Sequence, residues 1–274
     1  MQLASKFHKN AHVLRSMSPL SNDQIRAVVP SIFADDKHGS RSDRYTYVST
    51  GEILDNLRDQ GFSPFMVCQS RVRDDGKREH AKHMVRMRHA GNINAAEANE
   101  IILLNSHDGS SSYQLFAGCF RFVCQNGLVC GETLENIRIP HKGEIVGDVI
   151  EGAFRVVKGF ERADEEREGM KALTLNQGEM AAFAKSALQL KYDPELPAPI
   201  TENQLLRPKR REDSKTDLWT VFNTVQENIM GGGISGRSAN GNRMRTRAVE
   251  GISQNIQLNR AMWTLAEEMR KLKA

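Results

Sequence analysis

The sequence predicts an α+β fold: a small antiparallel sheet, made of a hairpin plus a third strand, packed by helices and followed by a helical carboxyl-terminal half. Three observations carry this reading. Residues 65–88 alternate with a period of two around the Asp75-Gly76 turn signal. The run Glu100 to Asn105 (EIILLN) is uncharged in its middle, as a central strand should be. From about Glu144 onward the apolar residues recur at helical spacing.

Residues 1–20 are polar and irregular and read as a flexible arm. Ser21 caps a predicted helix running to about Phe33, with Ile25, Val28, Val29 and Ile32 on one stripe. Thr50 is the expected cap of a second helix ending at Gly61. The hairpin and third strand follow, and Asn105 to Gly109 is a turn signature. Tyr113 to Cys124 fits either period. The helical reading is preferred, with Ser110 to Ser112 as caps and Asn126-Gly127 as the stop.

Helices are then expected over Glu144 to Glu168 and Gln177 to Leu190, with the acidic run ERADEERE as a solvated face. Residues 193–213 hold four prolines and four basic residues and read as an exposed linker separating a 21–192 core from a 214–274 helical segment. In that segment Asp217 caps a helix ending at Gly231. Residues 231–247 form a mobile Gly/Arg loop, and an amphipathic helix spans Ile252 to Leu272.

Composition narrows the function. A 274-residue chain with 39% hydrophobic residues can bury a core. No apolar run reaches the roughly 18–20 residues of a membrane span. The first residues lack the apolar stretch of a signal peptide. Four cysteines without CxxC spacing suit reduced thiols, so a soluble cytoplasmic protein is expected. The net charge is only +4, so an anionic partner must be met by local patches.

One patch stands out. Residues 71–88 hold seven Lys or Arg against three acids. Alternation puts Gln69, Arg71 and Arg73 on one face of the first hairpin strand and Lys82, Arg86 and Arg88 on one face of the second. Met66, Cys68 and Val72 then lie opposite the basic set, as do His83, Val85 and Met87. A hairpin with one apolar and one guanidinium face is a platform for a phosphate backbone. Lys209, Arg210, Arg211, Arg237, Arg243, Arg245 and Arg247 supply a second basic surface; a solvated connector explains the 231–247 loop equally well.

Other motifs point to chemistry only weakly. Gly231 to Ser238 has phosphate-loop spacing, but Arg237 replaces the lysine and a helix precedes the glycines. His80, His83 and His89 lack a fourth ligand of recognised spacing, and positions 80 and 83 of one strand face opposite ways, so no metal and no cofactor are expected. His107-Asp108 is an acid–base pair or, more simply, an Asx turn closed by Gly109. Cys124 has no identifiable base. Tyr45 and Tyr47 beside Arg41 and Arg44 suit base stacking or strand-edge packing. Trp219 and Trp263 belong in a core.

The run SHDGSSSYQLFAGCFRFVCQNGLVCGE, from Ser106 to Glu132, and the closing RAVEGISQNIQLNRAMWTLAEEM resemble a family of phage- and plasmid-borne proteins known only as a domain of unknown function. The resemblance covers most of the chain and is closest to enterobacterial prophage and conjugative-plasmid members. It implies a mobile-element setting and transfers no catalytic residue. The order of hairpin, third strand and helix over 65–124 is also similar to the core of phage single-strand annealing proteins, which implies rings or filaments on DNA. The expected function is non-enzymatic binding of nucleic acid, single-stranded DNA above all, by a possible homo-oligomer. The alternative is a protein-interaction module that inhibits a host defence or restriction complex.

Overall fold

The structure is a computed structural model that describes residues 11–42, 44–72, 75–89, 97–123, 126–131 and 136–273. The chain falls into two compact units: residues to 129 with 134–160 and 250–252, and residues 130–133, 161–249 and 253 onward. The expected α+β class holds, with an antiparallel sheet, packing helices and a helical carboxyl-terminal part.

The first unit is built on a meander. Strands β1 (Ala11–Arg15), β2 (Phe62–Ser70), β3 (His83–His89), β4 (Glu97–Asn105), β5 (Tyr113–Arg121) and β6 (Asn126–Val129) lie side by side in that order. Strand β7 (Ile137–Ile139) also pairs with β5. Residues 11–15, read from sequence as part of an arm, therefore belong to the sheet. Every residue of β4 is buried, as its uncharged run predicted. Helix α1 (Asn22–Val28) starts at a capping box: the Ser21 hydroxyl accepts from Gln24 N, and the Gln24 side chain returns to the Ser21 amide. Helix α2 (Thr50–Asp59) is capped by Ser49 rather than by Thr50. Helix α3 (Ile145–Lys158) buries Ile145, Val149, Ala153 and Val156, and Gly152 lets its backbone approach Leu115 of β5.

Two elements differ from expectation. Tyr113–Arg121 is a strand, because it must pair β4 on one side and β6 and β7 on the other. Both of its faces are buried, which blurs the alternation that marks a half-exposed strand. The basic hairpin also has a different register. Strands β2 and β3 are joined by residues 71–82, including a 3-10 turn over Asp75–His80, and Met66 pairs with Arg86 and Cys68 with Met84. Met66 and Cys68 thus share the face of Arg86 and Arg88 instead of opposing it. A one-residue offset exchanges the faces of a strand.

Arg86 and Arg88 do share a face, and that face is interior. Each is 3% exposed and Glu100, on β4, is 1% exposed. Arg86 Nε donates to Glu100 Oε2 at 2.5 Å and Arg88 Nε to Oε1 at 2.9 Å. Arg86 Nη2 also donates to the Leu128 carbonyl of β6 at 2.7 Å. In a flat sheet β3 and β6 would stand about 14 Å apart, three strand spacings, too far for one side chain. The sheet therefore curls around Arg86. Gly118 and Gly127 leave room for the guanidinium, since a Cβ at either would come within 3 Å of it. Arg88 is held over Phe65 at 4.3 Å and Phe120 at 4.5 Å. Arg15 approaches the same cluster; burial, then the Arg86 charge, lower its pKa to about 10, so it stays charged at neutral pH.

The second unit is mainly helical: α4 (Phe160–Ala172), α5 (Gln177–Lys191), α6 (Glu202–Leu205), α7 (Leu218–Gly231) and α8 (Ile252–Lys273). Asp217 caps α7 by accepting from Thr220 N at 2.9 Å, and α7 is buried on almost every side. Trp219, Phe222 and Trp263 meet at about 6 Å, so both tryptophans are core residues. The acidic run of α4 is partly solvated: Glu165 and Glu168 are exposed, while Arg167 is buried and Glu166 pairs with Arg270 at 3.0 Å.

Replacing Glu100 by Ala would leave two guanidinium groups buried without their shared carboxylate. The expected loss is about 3–5 kcal/mol, read as a fall in the urea midpoint followed by far-UV circular dichroism. A loss under about 1 kcal/mol would show that the pair does not organise the sheet.

Candidate nucleic-acid interface

The sequence singled out two basic surfaces, and their surroundings differ. In the first, Arg86 and Arg88 face inward and are committed to Glu100, so the expectation that they contact phosphates from an exposed hairpin face is corrected. Their period-two placement was right; the face they share is the concave interior. Arg71 is exposed, but in the β2–β3 connection rather than on a strand. Lys82 is half-buried just before β3, and Arg73 lies outside the described residues.

The second surface is better presented. Residues 231–247, expected as an irregular mobile loop, form a two-stranded hairpin of β8 (Ser235–Arg237) and β9 (Arg243–Arg245). Its turn is closed by Ser238 N to Asn242 O at 2.9 Å and Gly241 N to Ser238 O at 2.8 Å. Gly241 takes φ 78°, a left-handed conformation that suits glycine. Toward the base, Thr246 N donates to Ile234 O and Gly233 N to Thr246 O. Lys191, at the end of α5, fastens that base by donating to Ile229 O at 2.6 Å and Arg247 O at 2.9 Å. On the β8 side, Arg237 N donates to Pro199 O at 2.9 Å, and Gly236 admits this close approach because a Cβ there would collide with the Pro199 carbonyl.

Register sets the charges. Arg237 pairs with Arg243 and Ser235 with Arg245, so these four side chains share one face, with Gly236 and Met244 on the other. Arg237, Arg243, Arg245 and Arg247 are all exposed. A groove of about 940 Å³ runs between the hairpin and the 197–201 segment; among the described residues lining it there is no Asp or Glu. Pro199, Ile200 and Met244 give it apolar surface and Arg237, Arg243 and Arg245 its charge. The remaining sequence-predicted residues divide. Arg210 pairs with Glu227 at 2.7 Å and with Asp213 at 2.9 Å, and Lys209 lies 3.5 Å from Glu227. Arg211 is exposed.

A third place was missed as a unit. Thr50 Oγ1 lies 2.9 Å from His83 Nε2, 3.2 Å from His107 Nε2, 3.1 Å from the Tyr113 hydroxyl and 3.0 Å from Asn105 Nδ2. A hydroxyl donates once and accepts twice, so four neighbours already saturate it. Thr50 and both imidazoles are fully buried. The cluster fastens α2 to the sheet face opposite Arg86, since His83 Nδ1 also meets Ser31 Oγ and the Ala81 carbonyl, each at 3.0 Å. Residues 50, 83, 107 and 113 are too far apart in sequence for any spacing to reveal them. His107 turns inward to Thr50. Asp108 accepts from Ser110 N at 2.8 Å, the Asx turn of the simpler reading. Among the described residues no three His, Cys, Asp or Glu are grouped to hold a metal ion. Cys124 lies outside the described residues.

Burial lowers the His83 pKa from 6.5 to about 4 and the His107 pKa to about 2. Both are neutral in the fold at neutral pH, whereas the unfolded chain binds their protons below 6.5. Stability should therefore be fully present above pH 6.5 and decline as pH falls from 6.5 toward 4. Thermal melts across that window should record the decline, and His83→Gln should flatten it; a melting temperature constant from pH 7 to 4 would contradict the burial of these rings.

Comparison with known proteins finds similarity along most of the chain. The family model described as "Domain of unknown function (DUF932)" matches residues 37–263. Two proteins of Escherichia coli (strain K12), UPF0380 protein YafZ and UPF0380 protein YfjQ, are each 51% identical over 268 residues, covering 98% of this chain and 97% of theirs. No solved structure matches. No helix among the described residues is long and apolar enough to cross a membrane. With most of its length inside the family match and near-complete relatives at 51% identity, the chain belongs to the DUF932 family.

Proposed function

We propose that this protein binds nucleic acid without catalysing a reaction on it, single-stranded DNA being the form it takes, and that the β8–β9 hairpin is the phosphate-contacting surface. One observation carries the reading: Arg237 and Arg243 stand directly opposite each other on an exposed face, with Arg245 alongside and no acid in residues 231–247. Like charges opposed across a strand pair destabilise it. An arrangement that costs stability in the free protein gains it back when a polyanion lies across the three guanidinium groups. The groove beside them has no acidic lining residue among those described, so nothing there repels a phosphate.

The role of the first basic segment shrinks accordingly. Arg86 and Arg88 hold the sheet together, and among the described residues of 71–88 the exposed cations are Arg71, Lys77 and Arg78, all in the β2–β3 connection. Lys209 and Arg210 are partly neutralised by Glu227, so their contribution is secondary to that of the hairpin.

If Arg237, Arg243, Arg245 and Arg247 each engage one phosphate, log affinity should fall against log salt with a slope of roughly −3 on single strands. Binding of nuclease-treated protein to a fluorescent single-stranded 40-mer across a salt series measures it. The double variant Arg243→Gln/Arg245→Gln should reduce the slope by about 1.4 and weaken binding to all sequences alike. Absence of binding at low salt would overturn the proposal and leave the hairpin as a docking face for an acidic protein.

A further inference from the structure

Resting on the hairpin as a phosphate-contacting surface, we infer that the adjoining groove is a base pocket: it takes an unstacked nucleobase whose flanking phosphates lie on Arg237, Arg243 and Arg245. The lining carries this beyond a generic basic patch. A surface that reads only phosphates needs charge and no cavity. Here the three arginines border a groove of about 940 Å³ with apolar surface from Pro199, Ile200 and Met244. That volume lies at the upper end of the range in which compact organic ligands are held, roughly 300–1,000 Å³. It is far too small for a duplex.

The walls are also fixed in place. Gly236 is pressed against the Pro199 carbonyl, and Arg237 N donates to that same oxygen. Gln204 Nε2 donates to the Ser235 carbonyl at 2.8 Å, tying α6 to β8. Lys191 anchors the hairpin base to α5 and α7. A groove whose two sides are hydrogen-bonded together is pre-formed, and a ligand entering it does not have to order the hairpin first.

The chemistry of the lining indicates how a base would be held. No aromatic residue is among the described lining, so the aromatic stacking usual for single strands is unavailable. The base instead lies on proline, isoleucine and methionine, while the arginines of the other hairpin face take its flanking phosphates. Such contacts use the face of the base rather than its edge, so the pocket accepts any base and selects for a strand that is already unpaired. Duplex DNA would have to flip a nucleotide to use it.

The test compares three fluorescent or competing ligands on the wild-type protein at one salt concentration: a single-stranded oligothymidylate 20-mer, an abasic 20-mer with the same backbone, and polyphosphate of similar charge. The pocket predicts that the oligothymidylate binds at least five-fold more tightly than the abasic strand. It further predicts that Met244→Ser narrows that gap while leaving polyphosphate affinity unchanged, with an unaltered melting temperature confirming the variant is folded. Equal affinity for the oligothymidylate and the abasic strand overturns the base pocket but leaves the phosphate surface standing. Failure of all three ligands to bind at low salt overturns the phosphate surface itself, and the pocket with it.

Discussion

The ion pair formed by Glu100 with Arg86 and Arg88 is the constraint on which the first unit depends. Three ionised groups lie inside a sheet where isolated charges would each cost several kcal/mol. They are tolerated because both carboxylate oxygens are used, because Arg86 reaches the Leu128 carbonyl, and because Arg88 lies against Phe65 and Phe120. The same geometry bends the sheet, since Arg86 links β3 to β6 across two intervening strands. Glycine at 118 and 127 is a consequence: the curled interior has no room for a Cβ where the guanidinium passes. On the opposite face, the Thr50 cluster fastens α2 and the turn before β3 with neutral groups. Around Arg86 the sheet is organised by charge, and at the Thr50 cluster by hydrogen bonds between uncharged side chains.

Arginine thus has two separate tasks in this chain. In β3 it is structural, desolvated and paired. In β8 and β9 it is exposed and set opposite another arginine. Local sequence does not separate the two cases, because RMR occurs in both, at 86–88 and at 243–245. The difference is a carboxylate twelve residues after Arg88, which reaches it only through the β3–β4 pairing. No comparable acid lies along the hairpin. Free energy follows the environment: a buried arginine without its partner endangers the fold, while an exposed one is available to a ligand at little cost.

Much of the fold was legible where local physics decides it. The Ser21 cap, the Asp217 cap, the closing helix and the uncharged run of β4 all appear as read from the sequence. What failed depended on distant partners. Tyr113–Arg121 fits a helix until β4, β6 and β7 are in place on its two sides, although Gly118 in the middle of a helix was a warning. Alternation told that Arg86 and Arg88 share a face but not that the face is interior. The second hairpin carried a readable sign, the Asn240-Gly241 pair between two short Arg-containing runs, which is a turn signature. The Thr50 cluster carried none, because its members come from four separate elements and no spacing rule connects them.

On the proposed function the basic residues divide into an interior set that shapes the sheet and an exterior set that meets the ligand. Hydrogen–deuterium exchange of the protein with and without a single-stranded 40-mer examines both sets at once. This division predicts slow exchange in β3 and β4 that the DNA leaves unchanged, and added protection confined to residues 197–204 and 233–247. Protection appearing in 71–88 while the second hairpin stays unaffected would contradict it, and would return the ligand to the first basic segment.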